Sequence, residues 1–418
     1  MLEDYKSDML GCSRCSLCKW IPLNQVKSWR FANVCPAITR YNFHAYSGSG
    51  KMIIGLSLLE ERMDWTEEAV KILYRCTLCG ACDVSCKVYR DDIDIIDTLE
   101  ELRRRSIKDG VGPIPNHLEF KRSIEANYNP YKEPHNNRWD WMPKAITPSK
   151  KSDTAYFVGC TSAYRLPQIA QDTVKILNAT NTNFMILGLD EWCCGSPLMR
   201  TGQFDLAKKI MEHNIEKLNR LGVKTVVTSC AGCYDMLKVD YKRYSETEMK
   251  FNVLASVEYI NQLIRDRVIE FKKKTPLKVT YHDPCHLGRR VDPYFGEWEG
   301  DKLLRPEQYI RRGRNGVYDP PREVLRSIPG LSLVEMERIR EYAWCCGSGG
   351  GVKSAFPDFA LWAANERIEE AKTTGAGTMI TSCPFCVRNL GDAVKEYQHD
   401  MEVMDIVNLV YSAMEERK

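Results

Sequence analysis

From about residue 150 onward, short apolar runs alternate with stretches in which apolar residues recur every three or four positions. The apolar runs at 154–159, 183–187 and 225–228 are four to six residues long, which is the length of a buried strand. The helical pattern between the last two runs comprises Phe204, Ala207, Met211, Ile215 and Leu218, and it ends at Gly222. Because strands that alternate with helices build parallel sheets, this pattern predicts α/β units.

The α/β pattern occurs twice, so the chain contains an internal duplication. The matched pairs are 154–160 with 278–285, 192–195 (Trp-Cys-Cys-Gly) with 344–347, 226–233 with 379–386, and 252–264 with 402–414. We therefore expect two pseudo-symmetric α/β domains with parallel sheets, at 151–274 and 275–418. The second copy has an extra segment around 291–317, which is either a substrate or partner contact or a plain surface excursion.

Apolar residues also recur at helical spacing in the first 110 residues. The members are Trp65, Ala69, Ile72, Leu73 and Cys76 in one stretch, and Ile93, Ile96, Leu99 and Leu102 in another, which stops near Gly110. Asp64 followed by Glu67 predicts the cap of the first of these helices. We therefore expect a helical domain in front of the two α/β domains.

Prolines and aromatic residues crowd the segment 111–151 and predict an irregular connector. Within it, Trp139 and Trp141 either line a partner surface or pack on the neighbouring domain, and packing is the commoner use of such residues. The predicted first domain, with this connector, spans 1–150.

The helical domain carries two C-x2-C-x2-C runs, each with a later fourth cysteine, which is the spacing of two-cluster ferredoxins. Three closely spaced thiolates bind three irons of a [4Fe–4S] cubane, and the fourth comes from the other half because the chain leaves the loop as a helix. The predicted ligands are Cys12, Cys15, Cys18 and Cys86 for one cubane, and Cys76, Cys79, Cys82 and Cys35 for the other. Zinc is the alternative, but tetrahedral zinc leaves the third cysteine of each run without a role. Cys86 is followed by Lys87 instead of the usual proline.

In each α/β copy, five cysteines follow the apolar runs. They are Cys160, Cys193, Cys194, Cys230 and Cys233 in the first copy, and Cys285, Cys345, Cys346, Cys383 and Cys386 in the second. Carboxyl ends of parallel strands meet at one sheet edge, so each five should form one soft pocket suited to an iron–sulfur cluster. A vicinal pair does not fit one tetrahedral metal but can bind two irons of an irregular cluster; a buried redox disulfide is the alternative. Gly195 and Gly347 would let the backbone approach the cluster.

Composition narrows the function classes. A net charge of +3 over 418 residues is too small to indicate nucleic-acid binding, and the basic runs at 272–274 and 311–314 are typical of solvated loops. Eighteen cysteines are sparse for a secreted disulfide scaffold. Neither a signal peptide nor an apolar run near ~20 residues is evident. We therefore expect a cytoplasmic protein, or one that is peripheral to a membrane through a partner.

The complete set of motifs resembles the catalytic subunits of heterodisulfide reductases. The spacings C-x32-CC-G-x34-C-x2-C and C-x59-CC-G-x35-C-x2-C are similar to the paired cysteine-rich (CCG) domains of that family, as is 281–289, Tyr-His-Asp-Pro-Cys-His-Leu-Gly-Arg. The ferredoxin-like head is similar to that of the D-type subunit, or of fused C-type and B-type subunits. The resemblance implies that each five-cysteine set binds a noncubane [4Fe–4S] cluster and that a disulfide is cleaved between the two clusters.

The resemblance implies an oxidoreductase subunit that passes electrons through two cubanes to two noncubane clusters, where a disulfide or related acceptor is reduced. No flavin or nicotinamide fingerprint is evident, so a flavoprotein similar to the family's A-type subunit, or a haem membrane subunit, would be its partner in a hetero-oligomeric complex. His282 and His286 flank Cys285 and are candidate catalytic proton donors, or else local caps. The alternative is a non-catalytic relay in a flavin-dependent complex, such as an aromatic acyl-CoA reductase or a lactate or glycolate oxidase.

Overall fold

The computed structural model describes residues 1–88, 93–271, 273–291, 297–299, 302–304 and 313–414. The helices of the head and connector are α1 Lys6–Gly11, α2 Pro36–Tyr41, α3 Gly48–Leu59, α4 Glu67–Tyr74, α5 Ala81–Cys86, α6 Ile95–Lys108 and α7 Pro115–Asn127. Those of the first α/β copy are α8 Cys160–Tyr164, α9 Pro167–Ala179, α10 Ser196–Met199, α11 Phe204–Arg220, α12 Ala231–Asp235, α13 Tyr241–Tyr244 and α14 Ser256–Arg265. Those of the second are α15 Asp319–Ser327, α16 Val352–Ala355, α17 Pro357–Lys372, α18 Pro384–Glu396 and α19 Ile406–Met414.

Two separate parallel sheets hold the duplicated part together. Their strands are β1 Thr154–Phe157, β2 Thr225–Thr228 and β3 Asn252–Ala255 in one sheet, and β4 Lys278–His282, β7 Ser332–Leu333, β8 Thr378–Thr381 and β9 Glu402–Asp405 in the other. Their orders, β1-β2-β3 and β7-β4-β8-β9, match once β4 is laid over β1. The expected fold class, a helical head followed by two α/β units, is confirmed.

The run 183–187 is not a strand. Its one sheet contact is the bridge between Met185 and Ala155, at the place that β7 occupies beside β4 in the other copy. Both edge segments are short because the chain leaves the sheet at once to form the loop that carries the vicinal cysteines. The expectation of a strand before Cys193 is therefore wrong in extent but right in position.

The head packs its helices through the predicted stripes. Leu99 and Leu102 of α6 lie with Met52 and Leu56 of α3 in one buried cluster. Helix α4 begins two residues later than Asp64 suggested, because Thr66 accepts a hydrogen bond from the Ala69 N–H and is the actual N-cap.

The connector is more regular than its prolines indicated. It contains helix α7 and a 3₁₀ turn at His135–Trp139. Pro115 occupies the first turn of α7, where a missing N–H costs nothing, so proline starts a helix here instead of preventing one. Trp141 is buried with Tyr156 and Val158 of the first sheet, which confirms that it packs on the neighbouring domain.

The extra segment of the second copy, 291–317, lies largely outside the described residues, which leave out 292–296, 300–301 and 305–312. Both expectations for it, a substrate or partner contact and a plain surface excursion, stay predictions. Between them, β5 Glu297–Glu299 and β6 Lys302–Leu304 pair as an antiparallel ribbon. Lys272 and Arg311 of the two basic runs also lie outside the described residues.

The described helices are short. The longest, α11, has 17 residues, and its buried positions repeat at helical spacing with charged residues between them. Within the described ranges, no helix is both long enough and apolar enough to cross a membrane.

Candidate metal centres

The first cysteine group of the head lines one pocket. Cys12, Cys15, Cys18 and Cys86 all border it, together with Ser49, whose Oγ lies 3.7 Å from Cys18 Sγ. The structure therefore brings the first C-x2-C-x2-C run together with the last cysteine of the second run. Cys15 is exposed, so this group reaches the protein surface.

The second group of the head is more deeply placed. Cys76 and Cys79 lie close enough to the partly buried Cys35 to influence its ionisation, although desolvation is the main reason that the pKa of Cys35 rises to about 12. A methyl group at Gly48 would lie 2.9 Å from Cys82 Cβ, so the start of α3 forms a close wall beside this group. Cys35 thus joins the second run, as the crossed arrangement requires.

The first five-cysteine set lies at the carboxyl edge of the β1-β2-β3 sheet. Cys160 begins α8 directly after β1, and Cys230 caps α12 directly after β2. Neighbouring thiols shift each other's pKa in the order Cys160, Cys193, Cys194, Cys233 and Cys230, so the five side chains lie next to one another. Contacts with Cys193 and then Cys233 lower the pKa of Cys194 to about 6. All five members are buried.

The second five-cysteine set repeats this arrangement beside β4 and β8. Cys386 Sγ lies 3.3 Å from Cys346 Sγ, and Cys345 contacts both Cys285 and Cys346. One ring nitrogen of His282 lies within 4.8 Å of the sulfurs of Cys346 and Cys386. Unlike its counterpart Cys160, Cys285 is partly exposed.

The two candidate histidines both face sulfur. His286 Nδ1 lies 3.2 Å from Cys285 Sγ, and its Nε2 lies 3.6 Å from Asp235 Oδ2. Burial opposes protonation of His286, but the Cys285 thiolate and then Asp235 raise its pKa above the ordinary value. His282 Nδ1 accepts a hydrogen bond of 3.1 Å from Arg367 Nε, which fixes its ring.

The four cysteine groups touch one another in sequence. A hydrogen bond with Cys345 lowers the pKa of Cys79 to about 5, so the second head group contacts the second five-cysteine set. Cys230 and Cys383 likewise lie close enough for each thiol to shift the pKa of the other, so the two five-cysteine sets are neighbours. Cys82 also lies near Cys18 of the first head group. The four groups therefore follow one another as neighbours, from the group with the exposed Cys15 to the buried first set, and we call this series the line of thiols.

The glycines after the vicinal pairs contribute backbone N–H groups. Gly195 N and Gly347 N each lie 3.4 Å from the sulfur of the first cysteine of their pair, Cys193 and Cys345. Both have positive φ, +89° and +88°, which glycine adopts without strain. The following glycines serve another purpose, since Gly350 packs against the backbone of Cys76 and holds the head on the second α/β domain.

Sequence reasoning missed the buried arginines that surround these groups. Arg138 of the connector contacts Cys160, and Arg289 donates to the backbone oxygen of Cys79 at 2.6 Å. Arg200 and Arg290 share the buried carboxylate of Asp235, and although burial opposes ionisation these arginines lower its pKa to about 2. Arg289 and Arg290 follow the His286 motif directly, so their proximity to Cys285 was readable; no pattern marks Arg138.

The donor chemistry fits iron–sulfur clusters. All eighteen cysteines are free thiols, collected in groups of four and five with donor N–H groups beside them. Thiolates are the ligands that such clusters use, and hydrogen bonds to sulfur tune their potentials. The assignment of individual cysteines as ligands stays a prediction.

Comparisons with protein families agree with this arrangement. Residues 8–89 match the 4Fe-4S dicluster domain, and residues 154–238 and 306–391 match the cysteine-rich domain CCG. The second CCG match begins after Cys285 and so covers the other four members of its set. These matches support the expected cofactors, two cubane and two noncubane [4Fe–4S] clusters.

The chain is also similar to named components of redox enzymes. It is 36% identical to the D-type subunit of the dihydromethanophenazine:CoB–CoM heterodisulfide reductase of Methanosarcina mazei, over 97% of this chain and 93% of that protein. The D-type subunit of the same enzyme from Methanosarcina acetivorans is likewise 36% identical, with the same coverage. The B-type subunit of the fumarate reductase (CoM/CoB) of Methanothermobacter marburgensis is 33% identical, over 81% of this chain and 61% of that one.

Among solved structures, a hypothetical protein from Helicobacter pylori superposes with a TM-score of 0.53 at 12% identity, over 89% of this chain and 68% of that one. This likeness concerns the fold alone. The similarity to both D-type subunits extends through the head and both CCG domains, so the relay alternative is not favoured.

Proposed function

The chain belongs to the family of heterodisulfide reductase D-type subunits, and on that premise we propose that it reduces a disulfide where its two five-cysteine sets meet. As a member, it is an iron–sulfur oxidoreductase subunit that carries electrons. The observation that supports the proposal is the contact between Cys230 and Cys383, because it places two complete sets side by side at the end of the line of thiols. A two-electron reaction benefits from two adjacent one-electron centres.

The proposed reaction is RS–SR′ + 2 e⁻ + 2 H⁺ → RSH + R′SH, in which the S–S bond breaks and each sulfur gains one electron and one proton. When bound, the clusters supply the electrons one at a time. Cys12, Cys15, Cys18 and Cys86 would hold the first cubane, and Cys35, Cys76, Cys79 and Cys82 the second. The two five-cysteine sets would hold the noncubane clusters. The electrons come from a redox partner.

The chain's own side chains shape the junction. Tyr131 lies between the guanidinium groups of Arg165 and Arg388, which come from different α/β domains, and its hydroxyl is 2.8 Å from Thr161 Oγ1. This stack closes the junction beside Cys160. His282 and His286 contact cysteines, so we assign them the positioning of sulfur and keep proton donation as a prediction.

We place the partner at the exposed end of the line, near Cys15. Residues 9–59 contain no Asp or Glu and six Lys or Arg, of which Lys51 is buried and Arg30 pairs with Glu366; Trp20, Leu23 and Trp29 are exposed there. A basic surface with exposed aromatic residues is suited to a protein partner of opposite charge. A flavoprotein or a haem subunit fits this role, and the haem subunit would bring the chain to a membrane.

Anaerobic turnover by the whole purified chain tests the proposal. Reduced methyl viologen should reduce the CoM–CoB heterodisulfide, the compound for which the D-type relatives are named, and release two thiols per disulfide. Cys193→Ser and Cys345→Ser should each abolish turnover and leave the cubane EPR signals intact. Addition of CoM thiol to the oxidised chain should change its EPR spectrum. A chain with about sixteen irons, the content of four [4Fe–4S] clusters, that neither turns over nor responds to thiol would overturn catalysis.

A further inference from the structure

A fixed positive charge contacts the first five-cysteine set. Arg138 Nη1 lies 3.6 Å from Cys160 Sγ, and its Nη2 forms an ion pair with Glu191 Oε1. Only 2% of the Arg138 side chain and 1% of the Glu191 side chain is exposed. Among the described residues, Arg138 Nε has no hydrogen-bond partner.

The geometry directs the positive end of the ion pair at sulfur. Glu191 accepts hydrogen bonds of 2.9 Å from the N–H groups of both Val158 and Gly159, so its carboxylate is anchored to the backbone after β1. Because Nη2 faces the carboxylate while Nη1 faces Cys160, the guanidinium is the part of the pair in contact with the sulfur. Water does not screen this charge, since both side chains are buried.

Among the described residues, the second set has no such pair. The position that matches Glu191, two residues before the vicinal cysteines, is Ala343. Arg289 is the buried arginine nearby, but it donates hydrogen bonds to the backbone oxygens of Cys79, Glu341 and Ala343. Cys285, the counterpart of Cys160, is contacted by the His286 ring instead. The two copies therefore differ in the basic group that contacts their first cysteine, a guanidinium for Cys160 and an imidazole for Cys285, on which the charges of His286 and Arg289 act.

We propose that Arg138 is a positioning residue that raises the reduction potential of the cluster at the first five-cysteine set and makes that cluster the last one to receive electrons before the disulfide. The inference rests on the proposed function, in which Cys160 is a cluster ligand. Reduction adds negative charge, which an adjacent guanidinium stabilises, and net charge and hydrogen bonds to sulfur are known to set cluster potentials. Electrons that enter the second set from the head would then move on to the first.

Redox titration of the whole metallated chain, followed by EPR, tests this assignment with two opposite changes. Arg138→Gln should lower the reduced-to-oxidised ratio of the first-set signal about tenfold at a fixed potential, a shift of about 59 mV for one electron. Glu191→Gln should move the same signal in the opposite direction, because it leaves Arg138 uncompensated. Arg138→Lys should stay closer to the wild-type chain than Arg138→Gln does.

Arg265→Gln is the matched control, since Arg265 lies in the same domain but pairs at the surface with Glu323. It should leave all four potentials unchanged. A merely structural role for the pair would move both potentials the same way or not at all, and either result overturns the proposal. If Arg138→Gln loses the cluster, the reduction potential of the first-set signal in Glu191→Gln still tests the proposal, since it should rise. The proposed function fails separately, if Cys193→Ser removes no cluster signal.

Discussion

The two five-cysteine sets share a scaffold and differ in their surroundings. In both, cysteines follow equivalent strands, and a glycine N–H lies 3.4 Å from the first sulfur of the vicinal pair. The first set is buried throughout and contacts Arg138 of the connector. The second set contains the partly exposed Cys285 and contacts Cys79 of the head.

This difference supports our proposal that the duplicated part provides the cluster ligands, while the head and the connector set the direction of electron transfer. The head reaches the second set, the connector reaches the first, and neither segment is duplicated. Two identical sites would have no preferred order for electrons. Packing one end of the pair against an electron donor and the other against a fixed cation gives the pair an order.

The largest expected effect comes from removing one set at a time. In Cys345→Ser the contact between Cys79 and the second set is lost, so reduction of the first-set signal through the head should stop. In Cys193→Ser the second-set signal should still be reduced at the wild-type rate. Freeze-quench EPR after mixing with a protein electron donor distinguishes the two. Equal loss of reduction in both variants would contradict the proposed order.

The head offers a second comparison, between its two loops. Cys86→Ala should remove the signal of the cubane at Cys12, Cys15 and Cys18, because Cys86 lines the same pocket. Cys35→Ala should remove the other cubane signal. EPR of each reduced variant gives the answer, and loss of the Cys76–Cys82 signal in Cys86→Ala would refute the crossed ligation.

A smaller effect separates the two matched glycines. Alanine at either Gly195 or Gly347 is strained by positive φ, at about 1–3 kcal/mol. At Gly347 the new Cβ would also lie 2.5 Å from Ala360 O of α17, whereas at Gly195 its nearest neighbour is the flexible Met236 Cε at 3.3 Å. Gly347→Ala should therefore lower the free energy of unfolding by about 1–3 kcal/mol more. Anaerobic urea denaturation measures both, and equal losses would contradict the packing argument.

The smallest effect concerns the ends of the third strands. Asp405 ends β9 where Ala255 ends β3, and burial raises the pKa of Asp405 well above its ordinary value. The protonated native state is therefore favoured, and this stabilisation is complete below about pH 4, the unfolded pKa, and is lost as pH rises through the native pKa.

Asp405→Asn cannot ionise and can still accept the Val407 N–H that Asp405 Oδ1 accepts at 2.9 Å. Its advantage in unfolding free energy over the wild-type chain should therefore grow with pH. Urea denaturation between pH 5 and pH 8 measures the difference, and parallel curves would show that Asp405 is not a buried acid in the folded chain.

The sequence pattern predicted an element correctly where the whole pattern lies within one helix. The recurrence of Leu99 and Leu102 predicted α6, and the alternation around Phe204 predicted α11. The same reasoning failed for α7, since proline was taken as a breaker although Pro115 stands in the first turn. The apolar run at 183–187 also predicted too long a strand, because this edge segment forms a single β-bridge, between Met185 and Ala155, and then leaves the sheet.

The sequence by itself determined which residues form strands and helices and which cysteines share a loop, because backbone periodicity and short spacings are local properties. It also indicated the duplication, since matched motifs record a repeated unit. Only the tertiary structure decided that Cys79 meets Cys345, that Cys230 meets Cys383, and that Arg138 faces Cys160. These contacts depend on how separate surfaces pack, and no spacing along the chain encodes the distance between two domains.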